Sequence, residues 1–283
     1  MQTVKLNNGT EIPAIGFGVF LIPDDGTCEK AVSNALEVGY RFIDTAAAYM
    51  NEKGVGKAIK SSGLKREDIY VTSKLWLQDY GYEAAKKGID TSLKNLNLDY
   101  MDLYLLHQPY FDTKGAWKAL EEAVDEGKIK SIGISNHTIG FLEKLLPEMR
   151  IKPAINQMEC NPLFQQKKLR EFMKSYDIKM QAWYPLGHGN RELFENEILK
   201  SIGGKYNKTV SQIILRWHIE EGIIPIPKST SMNHIKENFE IFDFSLDNND
   251  MTKIRAIDTG KGSHNPDDLS FGETLLKAYK IHD

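Results

Sequence analysis

Short apolar runs alternate along the chain with longer stretches in which apolar residues recur every three or four positions. The first pattern predicts buried strands, and the second predicts amphipathic helices. A hairpin over 4–12, with Asn8-Gly9 as its turn, comes before eight strand–helix pairs. The predicted strands are 15–18, one that ends at 42–43, 69–74, 101–107, 129–135, 154–157, 179–183 and 223–226.

The spacing of these pairs, about thirty residues, favours parallel strands joined by right-handed crossovers. Eight such pairs in about 250 residues are typical of a (β/α)8 TIM barrel of the α/β class. An open, doubly wound sheet is the alternative. No linker or shift in composition divides the chain, so we expect residues 1–283 to form a single barrel domain.

Composition and charge exclude several classes of protein. The chain has 283 residues, of which 41% are hydrophobic, enough for one large core or two small ones. A net charge of −3 argues against nucleic acid or an anionic membrane as partner. Cys28 and Cys160 are the only cysteines, which indicates a reducing, cytoplasmic location. We expect neither a secretory signal nor a membrane span.

Chemistry-bearing side chains follow three successive predicted strands. Asp44, Lys74 and His107 stand at the strand ends, and Tyr49 lies on the loop after Asp44. The carboxyl ends of barrel strands meet on one face, where barrel enzymes have their active sites. A phenol and a carboxylate there form a plausible acid–base pair. Taken singly, each residue has a structural explanation, as a cap, a solvated strand end or a packed ring.

Two other motifs carry less information. Gly16-Phe17-Gly18 lacks the third glycine of a dinucleotide fingerprint, so we interpret it as a close backbone approach or a tight turn. The seven histidines show no metal-binding spacing, and we predict no metal site.

Longer motifs resemble the aldo-keto reductase family, most of all the bacterial-type branch that includes 2,5-diketo-gluconate reductases. The resemblance runs from the hairpin to Asp258. The motifs are GYRFIDTA at 39–46, TSKLW at 72–76, DYMDLYLLH at 99–107, GISN at 133–136, NQ at 156–157 and IPKS at 226–229.

This resemblance implies a catalytic tetrad of Asp44, Tyr49, Lys74 and His107. Tyr49 would give a proton to the carbonyl oxygen, and His107 would orient that carbonyl. We expect the Lys74 ammonium to lower the pKa of Tyr49 from its ordinary value of about 10. Asp44 would hold Lys74 in place.

The resemblance also implies NADPH or NADP as cofactor. Ser135, Asn136 and Gln157 match residues that bind the nicotinamide carboxamide, and Trp183 matches an aromatic that stacks on the ring. The remaining matches, to the phosphate, adenine and neighbouring contacts, are Leu186, Lys228, Ser229, Thr230, Glu237 and Asn238.

The chain departs from the family at several positions. His234 replaces an arginine that helps to bind the 2′-phosphate, so the preference for NADPH is weakened and NADH is a possible second cofactor. Gln108 replaces a tryptophan and joins Phe20 and Trp76 as expected substrate-pocket residues. The short tail after Gly262 predicts an open pocket.

We therefore expect an NADPH-preferring enzyme that reduces small aldehydes and ketones, including dicarbonyls, keto-sugars or diketo-acids. We expect it to act as a monomer. One alternative is a nicotinamide-binding regulatory module on the same barrel, as in potassium-channel β-subunits. Another is an unrelated barrel enzyme that binds a phosphorylated substrate at Lys228-Ser229.

Overall fold

The structure, a computed structural model, describes residues 2–282 and consists of a two-stranded hairpin followed by alternating strands and helices. The strands are β1 Thr3–Lys5, β2 Glu11–Pro13, β3 Phe17–Gly18, β4 Phe42–Asp44, β5 Tyr70–Leu75, β6 Met101–Leu106, β7 Ile129–Ser135, β8 Ile155–Glu159, β9 Lys179–Trp183 and β10 Ile224–Pro225. The helices are α1 Thr27–Val38, α2 Glu52–Ser61, α3 Tyr82–Leu96, α4 Thr113–Asp125, α5 Ile139–Leu145, α6 Lys167–Lys174, α7 Arg191–Phe194, α8 Glu197–Tyr206, α9 Val210–Glu220, α10 Met232–Phe239, α11 Asn248–Ala256 and α12 Ser270–Ala278.

Strands β3 to β10 form one parallel sheet of eight strands, in the order in which they occur along the chain. The two outer strands meet through backbone hydrogen bonds. Gly16 N donates to Pro225 O and Gly18 N donates to Pro227 O, each at 3.0 Å. The sheet therefore closes into the predicted (β/α)8 barrel.

Glycine is required at this closure. A Cβ atom on Gly16 would lie 2.5 Å from Phe42 Cδ1, and one on Gly18 would lie 3.1 Å from Ile226 O. Real Cβ atoms do not approach a ring carbon that closely. The Gly16-Phe17-Gly18 motif thus permits a close backbone approach, as the sequence indicated.

The N-terminal hairpin covers one end of the barrel. Its strands pair in the register Thr3↔Pro13, Val4↔Ile12 and Lys5↔Glu11. Leu6 and Ile12 are buried in the same cluster as the inward-facing Phe42, Leu103 and Ile155. Alternate residues of a strand share a face, so the next inward positions on β4 and β8 are Asp44 and Gln157. The barrel interior is therefore apolar at the hairpin end and polar at the other.

Helices α7, α11 and α12 were not among the predicted elements. The most consequential is α12, because the chain after Gly262 does not end as a short, open rim. Trp76 Nε1 donates to Tyr279 O at 2.7 Å, which fastens the end of α12 beside the barrel. None of the helices within 2–282 is both long and apolar enough to cross a bilayer.

Candidate active site

Four side chains meet at the polar end of the barrel. Lys74, on β5, points its ammonium at three oxygen atoms: Asp44 Oδ1 at 2.5 Å, Thr45 O at 2.8 Å and Tyr49 Oη at 3.3 Å. Tyr49 ends a short 3-10 turn that follows β4. The His107 ring lies edge-on to the Tyr49 ring, with 5.5 Å between their centroids. The structure therefore brings together all four predicted tetrad residues.

The Lys74–Asp44 ion pair is withdrawn from solvent. The side chains are 0% and 2% exposed. Burial raises the pKa of Asp44 and lowers the pKa of Lys74, and the opposite charge of each partner counteracts the shift in the other. Since all three donors of the Lys74 ammonium have acceptors, its position is tightly restrained.

The structure corrects the expected direction of the Tyr49 pKa shift. Burial raises the pKa of Tyr49 well above 10, and the negative charge of Asp44 raises it further. Tyr49 is thus held as a neutral phenol, the form that can donate a proton. Burial and the nearby Lys74 lower the pKa of His107 well below 6.5, so its imidazole is neutral as well.

Gln157 connects the ion pair to the opposite side of the barrel. Its Nε2 donates to Asp44 Oδ2 at 2.8 Å and to Gln181 Oε1 at 2.5 Å. Both hydrogen bonds of the side chain use Nε2, which leaves Oε1 available, and Gln157 lines the cavity described below. Sequence reasoning did not single out Gln181.

Ser135 and Asn136 follow one another at the end of β7. Ser135 Oγ donates to Gln157 O at 2.9 Å. Asn136 Nδ2 donates to His107 O at 3.2 Å, and Asn136 Oδ1 accepts from Trp183 Nε1 at 2.9 Å. An asparagine amide has two hydrogens and two lone pairs. Asn136 therefore keeps one donor and one acceptor position for a ligand.

A cavity of about 660 Å³ opens above these residues. It is large enough to hold part of a dinucleotide with a small second molecule beside it. Its walls include all the predicted site residues except Lys74, which lies directly beneath, and Thr230, which is exposed outside it. They are Phe20, Asp44, Tyr49, Trp76, His107, Gln108, Ser135, Asn136, Gln157, Trp183, Leu186, Lys228, Ser229, His234, Glu237 and Asn238.

The far end of the cavity lies at the loop between β10 and α10. Lys228 and His234 are exposed there, and Glu237 accepts a hydrogen bond from Thr209 Oγ1 at 2.7 Å. Helix α10 begins close by, at Met232, so its first amides add partial positive charge to the lysine. This end of the cavity is suited to an anionic group.

The three predicted substrate-pocket residues lie around Tyr49 and His107. The Phe20 ring is 5.0 Å from that of Tyr49, and the Trp76 ring is 5.1 Å from that of His107. The Tyr80 hydroxyl fixes Gln108, because it accepts from Gln108 N at 3.0 Å and donates to Gln108 O at 2.7 Å. The cavity is therefore aromatic around the phenol, with one amide beside it.

Sequence reasoning missed the cavity wall that α12 supplies. Phe271, Leu275 and Tyr279 all line the cavity. They are spaced four residues apart, which is the signal of one face of a helix and would have revealed it. Tyr184, His188 and His264 were also missed as wall residues, and no sequence pattern marks them.

Metal ligands do not cluster in the part of the chain that the structure describes. Residues 2–282 contain no group of three or more His, Cys, Asp or Glu side chains placed to hold an ion.

Comparison with known proteins identifies relatives over most of the chain. A sequence profile of the Aldo/keto reductase family matches residues 14–259. Glyoxal reductase of Bacillus subtilis (strain 168) is 46% identical over 272 residues, covering 95% of this chain and 98% of that protein. Methylglyoxal reductase DkgA of Escherichia coli (strain K12) is 41% identical over 275 residues, covering 95% and 98% respectively.

A solved structure agrees with the sequence relatives. The Bombyx mori aldo-keto reductase AKR2E4, crystallised in complex with NADP, superposes with a TM-score of 0.88 at 32% identity, covering 98% of this chain and 97% of that one. The chain therefore belongs to the aldo/keto reductase family.

Proposed function

We propose that this protein is an NADPH-preferring reductase that converts small carbonyl compounds, above all vicinal dicarbonyls, into alcohols with Tyr49 as proton donor. The observation that carries the proposal is the contact between Tyr49 Oη and Lys74 Nζ at 3.3 Å, at the floor of a cavity open to a ligand. The names of the glyoxal and methylglyoxal reductase relatives support the substrate class.

The residues of the cavity fit a nicotinamide dinucleotide. When bound, that group would supply a hydride to the carbonyl carbon. Gln157 Oε1, together with the remaining donor and acceptor of Asn136 and the Ser135 hydroxyl, would hold the carboxamide. His264 is stacked on the Trp183 ring at 5.7 Å between centroids, so Trp183 would offer its other face to the nicotinamide, and Leu186 lies close by on the wall. Lys228 and Ser229, together with the start of α10, would hold a phosphate, and Glu237 and Asn238 the adenine.

Each tetrad residue has a physical task in this reaction. Tyr49 keeps its proton near neutral pH because burial raises its pKa well above 10. It gives up that proton only when the carbonyl oxygen gains negative charge. The Lys74 ammonium, 3.3 Å away, stabilises the phenolate that forms. Asp44 holds Lys74, and neutral His107 can donate a hydrogen bond to the carbonyl oxygen without competing for the proton.

Gln108 supports a substrate with a second oxygen beside the reacting carbonyl. It directly follows His107 and lines the cavity, and Tyr80 clamps its backbone. An amide at this position can bind a neighbouring carbonyl, hydrate or hydroxyl group, which an apolar side chain cannot.

We infer further that the chain forms one domain and acts as a monomer in the cytoplasm. Cys28 and Cys160 are both free and buried, which is compatible with a reducing compartment. Membership of the 2,5-diketo-gluconate reductase branch remains a prediction. Thr230 would become a phosphate ligand in a conformation in which its loop lies nearer the cavity.

The test is to follow oxidation of NADPH and, separately, NADH at the nicotinamide absorbance, with methylglyoxal and a nitrobenzaldehyde as substrates. We expect turnover of both carbonyls, faster with NADPH. Tyr49→Phe should bind cofactor normally and lose about 10²- to 10⁴-fold in turnover, since the proton donor is gone. Tyr176→Phe, at an exposed tyrosine outside the cavity, is the matched control and should retain full turnover.

Two results would refute the proposal. The first is tight cofactor binding without turnover of any carbonyl, which would indicate the regulatory module. The second is full turnover by Tyr49→Phe, which would remove the phenol from its assigned role.

A further inference from the structure

The interior of the barrel contains a second buried glutamine that the proposed tetrad does not include. Gln181, on β9, is 0% exposed. It pairs with Gln157 across the parallel strands β8 and β9, so the two side chains share the inward face. Gln181 Oε1 accepts the 2.5 Å hydrogen bond from Gln157 Nε2.

The charges of the ion pair determine which way these amides point. Lys74 can only donate, and the Asp44 carboxylate can only accept. Gln157 must therefore turn its Nε2 toward Asp44 Oδ2, at 2.8 Å. The second hydrogen of that Nε2 needs another acceptor, and Gln181 Oε1 provides it. Both hydrogens of Gln157 are then used inside the barrel.

The same arrangement leaves Gln181 poorly satisfied. Its Nε2 is buried and has no partner among residues 2–282. A buried donor without a partner is destabilising, and an apolar side chain of similar size would avoid that cost. Polar residues that conflict with local packing in this way are expected at functional sites.

We propose that Gln181 is a positioning residue that locks the amide plane of Gln157, so that Gln157 Oε1 faces the cavity as a hydrogen-bond acceptor. This inference rests on the proposed function, because the group it serves is the cofactor carboxamide. The ligand class it selects is a nicotinamide whose ring substituent can donate an N–H. The oxygen of an acetyl substituent can only accept hydrogen bonds. Such a substituent has no N–H to donate to Gln157 Oε1, so that hydrogen bond would be lost.

The test compares the Kd of NADP with that of its 3-acetylpyridine analogue, measured by quenching of tryptophan fluorescence. We expect the wild-type protein to bind NADP about tenfold more tightly, the value of one hydrogen bond to a buried acceptor. In Gln181→Met the amide of Gln157 is less restrained, and the ratio should narrow to about threefold or less. The midpoint of thermal unfolding should change little, because methionine fills similar space and the loss of the unpaired Gln181 donor offsets the loss of the acceptor for one hydrogen of Gln157 Nε2.

Gln165→Met is the matched control. Gln165 is also a fully buried glutamine, but its Nε2 donates to Pro162 O and Ile254 O, each at 2.8 Å, away from the cavity. We expect Gln165→Met to lower the unfolding midpoint and to keep the wild-type ratio of Kd values. A variant at Gln181 that loses stability and also keeps the wild-type ratio would assign Gln181 a purely structural role.

Two further outcomes have clear meanings. If Gln165→Met narrows the ratio as much as Gln181→Met, the effect is a general loosening and the inference is wrong. If the wild-type protein binds neither dinucleotide, the proposed function itself fails, whereas normal NADP binding with no discrimination against the analogue overturns only the role of Gln181.

Discussion

The buried ion pair between Asp44 and Lys74 gives the sharpest prediction about stability. Surface ion pairs contribute at most about 1 kcal/mol. This pair is 2% and 0% exposed, so removing one partner leaves a buried charge and should cost about 3 to 5 kcal/mol at pH 7. That is a large part of the stability of about 5 to 15 kcal/mol that folded proteins have.

The hydrogen bonds that remain to each buried charge predict which single variant loses more stability. In Asp44→Asn, Lys74 Nζ keeps two neutral acceptors, Thr45 O at 2.8 Å and Tyr49 Oη at 3.3 Å, so we expect the lower end of the range. In Lys74→Met, Asp44 keeps a single donor, Gln157 Nε2 at 2.8 Å, so we expect the upper end. The double variant has no buried charge and should lose at least about 2 kcal/mol less than the sum of the single losses.

The pH dependence of the two variants should have opposite signs. In Asp44→Asn, the charge that counteracts burial is gone, so burial holds the folded-state pKa of Lys74 below the ordinary 10.5. The destabilisation is therefore full at low pH and disappears as the pH rises from the folded-state value toward 10.5. In Lys74→Met, burial holds the pKa of Asp44 above its ordinary 3.8, so the destabilisation disappears as the pH falls toward 3.8.

The assay is urea unfolding of the wild-type protein, both single variants and the double variant, at about pH 5, 7 and 9.5, with each loss referred to wild type at the same pH. The reasoning would be refuted by equal losses at all three pH values, because charge would then not be the cause. Strict additivity in the double variant would also refute it, since the two side chains would not be coupled.

Two more predictions concern the ends of the cavity. His234→Arg should raise the preference for NADPH over NADH by about 10- to 100-fold in kcat/KM, because arginine forms charge-assisted bonds to a 2′-phosphate; Asn233→Arg, at an exposed residue outside the cavity, is the control. Deleting residues 269–283 removes the wall that α12 forms, so KM for methylglyoxal should rise several-fold. The rate with bulky aldehydes relative to methylglyoxal should increase, and an unchanged profile of substrates would show that α12 does not shape the pocket.

The sequence was sufficient for the barrel and for the ring of polar side chains at its strand ends, and the reasons are local, whereas the roles of the tetrad residues came from the family resemblance and remain predictions. Alternate strand residues share a face, so Phe42 and Asp44 on β4 point inward together. The same alternation carries from Leu105 on β6 to His107, which directly follows that strand. Parallel strands then bring Asp44, Lys74 and His107 to the same end of the barrel. These features depend on residue periodicity alone, which a sequence displays directly.

Other properties depended on contacts between residues far apart along the chain. The pKa of Tyr49 lies above its ordinary value and not below it as expected, because in the folded barrel desolvation of the phenol outweighs the attraction of Lys74. The link from Gln181 through Gln157 to Asp44 spans 137 residues of sequence, and no motif marks it.

The sequence by itself determined the order of the elements, the inward-facing positions and the residue types at the strand ends, because these follow from periodicity. Only the tertiary structure decided the protonation state of Tyr49, the orientation of the Gln157 amide and the cavity wall formed by α12. Burial, donor–acceptor matching and helix docking arise when distant segments pack together. The spacing of apolar residues in α12 indicates a helix, but the sequence does not show where that helix docks.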